Sequence, residues 1–300
     1  MGSSYTVRNE MIFLIFLIGL LSCQTSSRAP LPATVGSPEI HTTPSVRSLQ
    51  VKEMPLSCEE YASEITPIGI FTNNVWNRQA ANGAAWSQCL MKRTEGDSVF
   101  YGWSWSWPFV EEAVYGYPQV KIGASPWAPE PRLDDRFPLS ISRLKKLDIT
   151  HTIEVNSNDN YNVATSMWLI NEPILSPEPN PSIIVAEVMF WTQATPGHFN
   201  PAGSRYGAIT IGEQNWEVWS DKNWGDASGA NDNQWVYLTF KAGQYSSEAY
   251  IPARELLRYA LKEQLLPEDL FIADIELGNE VMSGSGQTWV KAFEVDVRLE

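Results

Sequence analysis

Residues 183–191 read Ile-Ile-Val-Ala-Glu-Val-Met-Phe-Trp, an apolar run with one carboxylate, Glu187, at its centre. A run this short and β-branched, bounded by Pro181 and Pro196, predicts a strand with both faces covered. Side chains alternate along a strand, which puts Ile183, Val185, Glu187, Met189 and Trp191 on one face. An ionised carboxylate among such neighbours costs several kcal/mol unless it is paired or its pKa moves. Glu187 is therefore either a hydrogen-bonded structural acid or a functional one, and the Met and Trp on its face point to a lined cleft.

A second strand supplies a partner. Phe271–Met282 alternates Phe271, Ala273, Ile275 and Leu277 against Ile272, Asp274, Glu276, Gly278 and Glu280. The first set reads as core and the second as the wall of a wet groove. Two glutamates on cleft-facing strands are the equipment of glycosidic bond cleavage, one acid and one nucleophile or base. A merely solvated acidic face is the plainer reading of Glu280 taken alone.

Other segments narrow the choice. Asn73-Asn74-Val75-Trp76-Asn77 is followed by Gly102-Trp103-Ser104-Trp105-Ser106-Trp107, Tyr117-Pro118-Gln119-Val120, Tyr161-Asn162-Val163-Ala164, Glu187-Val188-Met189-Phe190-Trp191 and Gly278-Asn279-Glu280. In this order, over most of residues 54–300, the chain resembles glycoside hydrolase family 12, the β-jelly-roll endoglucanases and xyloglucanases. The resemblance implies an all-β jelly-roll sandwich of two antiparallel sheets with a concave cleft. It implies a retaining endo-acting hydrolase of β-1,4-glucan backbones: cellulose-type glucan, mixed-linkage β-glucan or xyloglucan. Glu187 would be the nucleophile and Glu280 the acid/base, with the carboxyls about 5–5.5 Å apart. Asn74, Trp76, Met189 and Trp191 would contact sugar. One position departs from the pattern: where the family often carries an Asp hydrogen-bonded to the nucleophile, this chain has Ser166. That loss is the feature favouring an alternative, a surface lipoprotein that binds glucans without cutting them. Segments 192–203 and 221–234 are the expected arbiters of which glucan is taken.

The rest of the chain agrees with an exported enzyme. Met11–Leu21 is apolar but shorter than the roughly 20 residues of a membrane span. It leads into Leu20-Leu21-Ser22-Cys23, which resembles a bacterial lipobox. Residues 1–23 are thus expected to be a lipoprotein signal peptide with Cys23 lipidated, placing the protein on the cell surface or outer membrane; a plain cleaved signal, giving a secreted protein, is the alternative. Residues 24–53, rich in Ser, Thr and Pro and without aromatics, predict a disordered tether, and 54–300 a single hydrolase domain. Cys58 and Cys89 then remain as an even pair, suited to a disulfide in an oxidising compartment or else two free buried thiols.

Thirteen tryptophans, all between Trp76 and Trp289, are more than a sandwich core hides, so several are expected to line the groove. A net charge of −14 argues against a nucleic-acid binder, which needs a basic face. His41, His151 and His198 are scattered, so no metal or other cofactor is expected. A monomer is expected. One helix is predicted over about 252–265, where Pro252 suits the first turn and Ala253, Leu256, Leu257, Ala260 and Leu261 form a stripe; it should pack on the convex side of the sandwich.

Overall fold

The computed structural model describes residues 51–300 other than 111, 112, 158, 227, 228 and 230. Cys23, His41 and residues 24–50 lie outside the described residues. Two sheets dominate. The outer one has six strands in the order β1 (Val51–Ser57), β4 (Ser87–Glu95), β5 (Ser98–Trp107), β18 (Gly284–Leu299), β9 (Leu144–Ser157) and β15 (Glu248–Ile251). The last residues assigned to the tether, 51–53, already belong to β1, where Glu53 pairs with Arg93 across the ladder.

The inner sheet runs β12 (Ser204–Ile211), β13 (Gln214–Gly225), β14 (Gln234–Ala242), β11 (Ile184–Ala194), β10 (Asn162–Ile170), β17 (Asp274–Gly278), β6 (Gln119–Ser125), β3 (Gly69–Thr72) and β2 (Ser63–Thr66). Three short strands extend it: β7 (Ala128–Leu133) on β6, and β16 (Phe271–Ile272) between β10 and β8 (Leu139–Ser140). The expectation of purely antiparallel sheets needs one correction, because β11 and β14 are parallel. Segment 195–203 turns the chain back across the sheet before β12 begins, with Phe199 and Ala202 packed beside Met189 and Trp191. A hairpin cannot make such a crossing, so the strand that ends up beside β11 runs in its direction.

The core lies between the sheets. Ala186, Val188 and Phe190 of β11, Met167 and Leu169 of β10, and Ile275 and Leu277 of β17 enter it from the inner sheet. Trp103, Trp105, Trp107, Leu147, Ile149 and Val290 enter from the outer one. The Trp-rich face of β5 is therefore core, not groove. Helix α1 (Ala253–Lys262) has Pro252 at its N-cap and sends Leu256, Leu257 and Ala260 into the same core, on the convex side of the inner sheet, where Tyr259 meets Phe240. Cys58 and Cys89 form a disulfide that joins the end of β1 to β4, on either side of the Asn73–Trp76 turn.

Expected alternation fails at one place. Ile272 belongs to the core, whereas Phe271 and Ala273 pack on the other face. Leu169 faces Ile272 but Ser166 faces Glu276, so the ladder slips by one residue between β16 and β17. Ala273 and Asp274 fall successively on the open face, a β-bulge. The Ala273 N–H still donates to the Trp168 carbonyl at 2.9 Å, which keeps the break paired. The exchange puts Asp274, Glu276 and Gly278 on the open face and Ile275 and Leu277 inside.

Candidate active site

The open face of the inner sheet carries the acids. Glu187 sits in mid-strand on β11, opposite Trp168 of β10 and Tyr237 of β14. Its Oε1 accepts a hydrogen bond from the Ser166 hydroxyl at 3.3 Å. Glu280 stands two residues beyond β17 and is held at both ends by Asn162. The Asn162 Oδ1 accepts from the Glu280 N–H at 2.9 Å, and its Nδ2 donates to Glu280 Oε2. Asn162 is itself shored up: its carbonyl accepts from Asn279 Nδ2 at 2.7 Å, while Asn279 Oδ1 takes hydrogen bonds from Trp103 Nε1 and Thr288 Oγ1. Core and site are thus joined through one buried asparagine.

Both carboxyls are partly exposed, yet most of each is enclosed by protein, and this burial raises both pKa values. Glu187 is pushed up to about 8, by burial first and then by the charge of Glu280, against the opposing pull of Ser166. The Trp235 N–H lacks a hydrogen-bond partner but lies where it also favours the Glu187 anion. Glu280 is raised to about 7 by burial, against the Asn162 hydrogen bond. Because the charge of Glu280 raises Glu187, one proton and one negative charge in the site are favoured over two negative charges.

Aromatic side chains flank the acids. At one end Met189, Trp191, Tyr117 and Tyr237 pack with Trp76, Phe199 and Trp224. There the Tyr237 hydroxyl donates to Met189 Sδ at 2.7 Å, and Tyr117 donates to the Ala164 carbonyl at 2.8 Å. At the other end Trp127, Trp168 and Trp235 meet edge-on in a triad with centroids 5.7–6.1 Å apart. Asn74 is half-buried and reaches Gln119 at 3.5 Å, with its Oδ1 buried and unpartnered. Trp76, Met189 and Trp191 are thus brought together, and Trp191 itself is fully buried against His198 and unable to offer its ring face freely. A depression of about 330 Å³ lined by Lys146, Asp148, Tyr250 and Arg254 contains none of these groups.

Sequence reasoning missed several members. Asn162 is part of a quoted motif, but nothing in one sequence announces its double grip on Glu280. Tyr117, Tyr237, Trp168 and Trp235 become visible only once strand order is known. Among the described residues no group of acids, His or Cys is arranged to hold a metal ion.

A jelly roll whose open sheet carries two raised carboxyls between aromatic clusters is the architecture of a carbohydrate-active hydrolase. Residues 69–298 match the profile of glycosyl hydrolase family 12, and the chain belongs to that family. It is 25% identical over 227 residues to endoglucanase S of Pectobacterium parmentieri, covering 75% of this chain and 80% of the relative. It is 24% identical to a probable xyloglucan-specific endo-β-1,4-glucanase A of Aspergillus clavatus, covering 76% and 85% of the two. Among solved structures, a family 12 xyloglucanase from Bacillus licheniformis superposes with a TM-score of 0.68 at 24% identity, over 81% of this chain and 99% of that one. Endoglucanase 3 of Trichoderma harzianum gives 0.62 at 18% identity, over 84% and 99%.

Proposed function

We propose that the protein cleaves β-1,4-glucan backbones internally by double displacement, with Glu187 as nucleophile and Glu280 as acid/base. The observation that carries this reading is the pair of largely enclosed carboxyls, both raised by burial, on an aromatic-flanked open sheet in a family 12 chain. Glu187 attacks the anomeric carbon as the carboxylate while Glu280 gives its proton to the departing oxygen. Glu280 then takes a proton from water, which opens the glycosyl-enzyme ester and regenerates Glu187. Both carboxyls are raised by burial, and a bound glycan favours the proton on Glu280, because its leaving oxygen accepts from Glu280 alone. Formation of the ester also removes the Glu187 charge and lowers the pKa of Glu280, fitting it for the base step.

Asn74, Trp76, Met189 and Trp191 shape the sugar-binding floor, with Trp191 acting through packing. The relatives bear endoglucanase and xyloglucan-specific names, and segments 192–203 and 221–234, whose Phe199, Ala202 and Trp224 pack with Met189 and Trp191, would decide between unbranched and branched chains. We further propose that Cys23 carries a lipid and that residues 24–50 tether the domain to the cell surface.

Reducing-sugar release from carboxymethylcellulose, mixed-linkage β-glucan and xyloglucan, measured side by side, ranks the substrates. Glu187→Gln should lower turnover by at least about 10³-fold, in line with loss of an essential nucleophile, while its circular dichroism stays unchanged. NMR of the first-formed product should show the β anomer. Near-normal activity in the variant, or an α anomer, would sink the scheme.

A further inference from the structure

Two more carboxyls lie in the floor of the site, and the catalytic scheme uses neither. Asp274 and Glu276 sit two residues apart on the open face of β17, with side chains 0% and 4% exposed. Lys121 of β6 faces Glu276 across the ladder and is 3% exposed. Its ammonium donates to the Ala128 carbonyl of the neighbouring strand β7 at 3.0 Å. On the other flank Ser166 of β10 faces Glu276 and hydrogen-bonds Glu187 of β11. Four neighbouring strands thus carry one transverse row: Lys121, then Asp274 and Glu276, then Ser166, then Glu187.

We propose that Asp274, Glu276 and Lys121 are positioning residues for the catalytic pair, a buried charge-balanced support behind Ser166 that fixes the electrostatic setting of Glu187. This rests on the assignment of Glu187 and Glu280 above.

Burying two carboxyls beside one ammonium is expensive for a fold that needs only packing there. The expense falls if the two acids hold one proton between them, since the trio is then neutral. Asp274 Oδ1 accepts from the Trp168 N–H at 3.4 Å, while Oδ2 is buried without a donor. A protonated Glu276 supplies a donor there, beside Ser125, whose side chain also favours the Asp274 anion. In agreement, burial lifts both groups, Asp274 to about 6 and Glu276 well above the ordinary range, with Asp274 next in raising Glu276 and Lys121 opposing both shifts. Influence also runs across the sheet: the charge of Asp274 raises Glu187 and that of Glu187 raises Glu276. The other ionisable groups acting here are Glu280, Tyr117 and Tyr237, and both tyrosines stay neutral because burial raises them far above their usual value. A serine at position 166 suffices in this chain because the carboxyl support comes from the next strand.

The test is the pH dependence of kcat/KM on whichever neutral polymer, mixed-linkage β-glucan or xyloglucan, is cleaved faster. Asp274→Asn and Glu276→Gln singly each leave one carboxyl to balance Lys121, so the acid limb stays in place. The double variant removes the negative charge on β17, two strand spacings from Glu187, and leaves Lys121 unopposed; both favour the Glu187 anion and should move the acid limb down by about one pH unit. KM should hold, since these residues are buried beneath the groove surface. Adding Lys121→Met should bring the limb back. A limb that stays fixed in the double variant overturns the proposal. Should that variant not fold, carboxyl ¹³C NMR of the unmodified protein decides: a resonance titrating above pH 7 and missing in Glu276→Gln supports it, and its absence overturns it. Glu187→Gln is run in parallel. If that variant is active the catalytic assignment fails, whereas an inactive variant with an unmoved limb refutes this inference alone.

Discussion

A carboxyl that keeps its proton in the folded state makes folding sensitive to alkali. Glu187 and Glu280 ionise near 4.5 in an unfolded chain, but only at about 8 and about 7 here. As pH rises through that window the native protein binds more protons than the unfolded one, so stability falls with rising pH. Glu187→Gln removes the larger share of this penalty. We expect the variant to exceed the parent in stability by on the order of 2 kcal/mol at pH 9, allowing for water in the groove, with the gap closing at pH 4. Urea unfolding at the two pH values checks this; equal midpoints at pH 9 would contradict the burial cost. At this scale the sequence was informative about Glu187, because a lone acid in an apolar run violates the strand's own pattern. It was silent about Asn162 and Glu276, which look like ordinary polar residues until the ladder sets them opposite Glu280 and Ser166.

Strand β17 gains its position from a residue that contributes no side chain. A Cβ on Gly278 would lie 2.6 Å from the Pro118 carbonyl and 2.9 Å from Tyr117 Cζ. Tyr117 cannot give way easily, since its hydroxyl bonds the Ala164 and Glu276 carbonyls at 2.8 and 3.2 Å. Gly278→Ala should therefore push β17 from β6 and displace Glu280, two residues on. The expected result is a loss of about 1–3 kcal/mol in stability and at least about a tenfold drop in kcat/KM. Thermal unfolding and steady-state kinetics on one preparation test both; unchanged values would mean the sheet absorbs the methyl group. Periodicity located β11 and α1 well. It could not tell which face of β5 is core, because tryptophan suits a groove and an interior alike; Trp103, Trp105 and Trp107 turn inward. Nor could it find the parallel pairing of β11 with β14, which depends on the path of segment 195–203.

The whole molecule divides its tasks by residue range. Residues 51–300 carry the sheets and the acids, whereas the proposed anchor lies at Cys23. In a bacterial host the full chain should appear in the membrane fraction and be released by detergent, while Cys23→Ser should be soluble and equally active per molecule on soluble glucan. Identical fractionation of the two would refute lipidation. Family membership was legible because the motifs lie far apart and occur in order, so their joint match survives low identity elsewhere. The bulge at Ala273 was not legible, since Phe271, Ile272 and Ala273 are all apolar and fit either face. Yet it sets the sense of everything that follows it. Deleting one residue there would exchange the two faces of β17, turning Asp274 and Glu276 toward Leu169 and Val120 and presenting Ile275 and Leu277 to sugar. A chain altered in this way would have nearly the same composition and the same motifs, but it would neither fold nor cut. In this protein the parity of a single count, from Ala273 to Glu280, decides which side chains of β17 meet the core and which meet the open face.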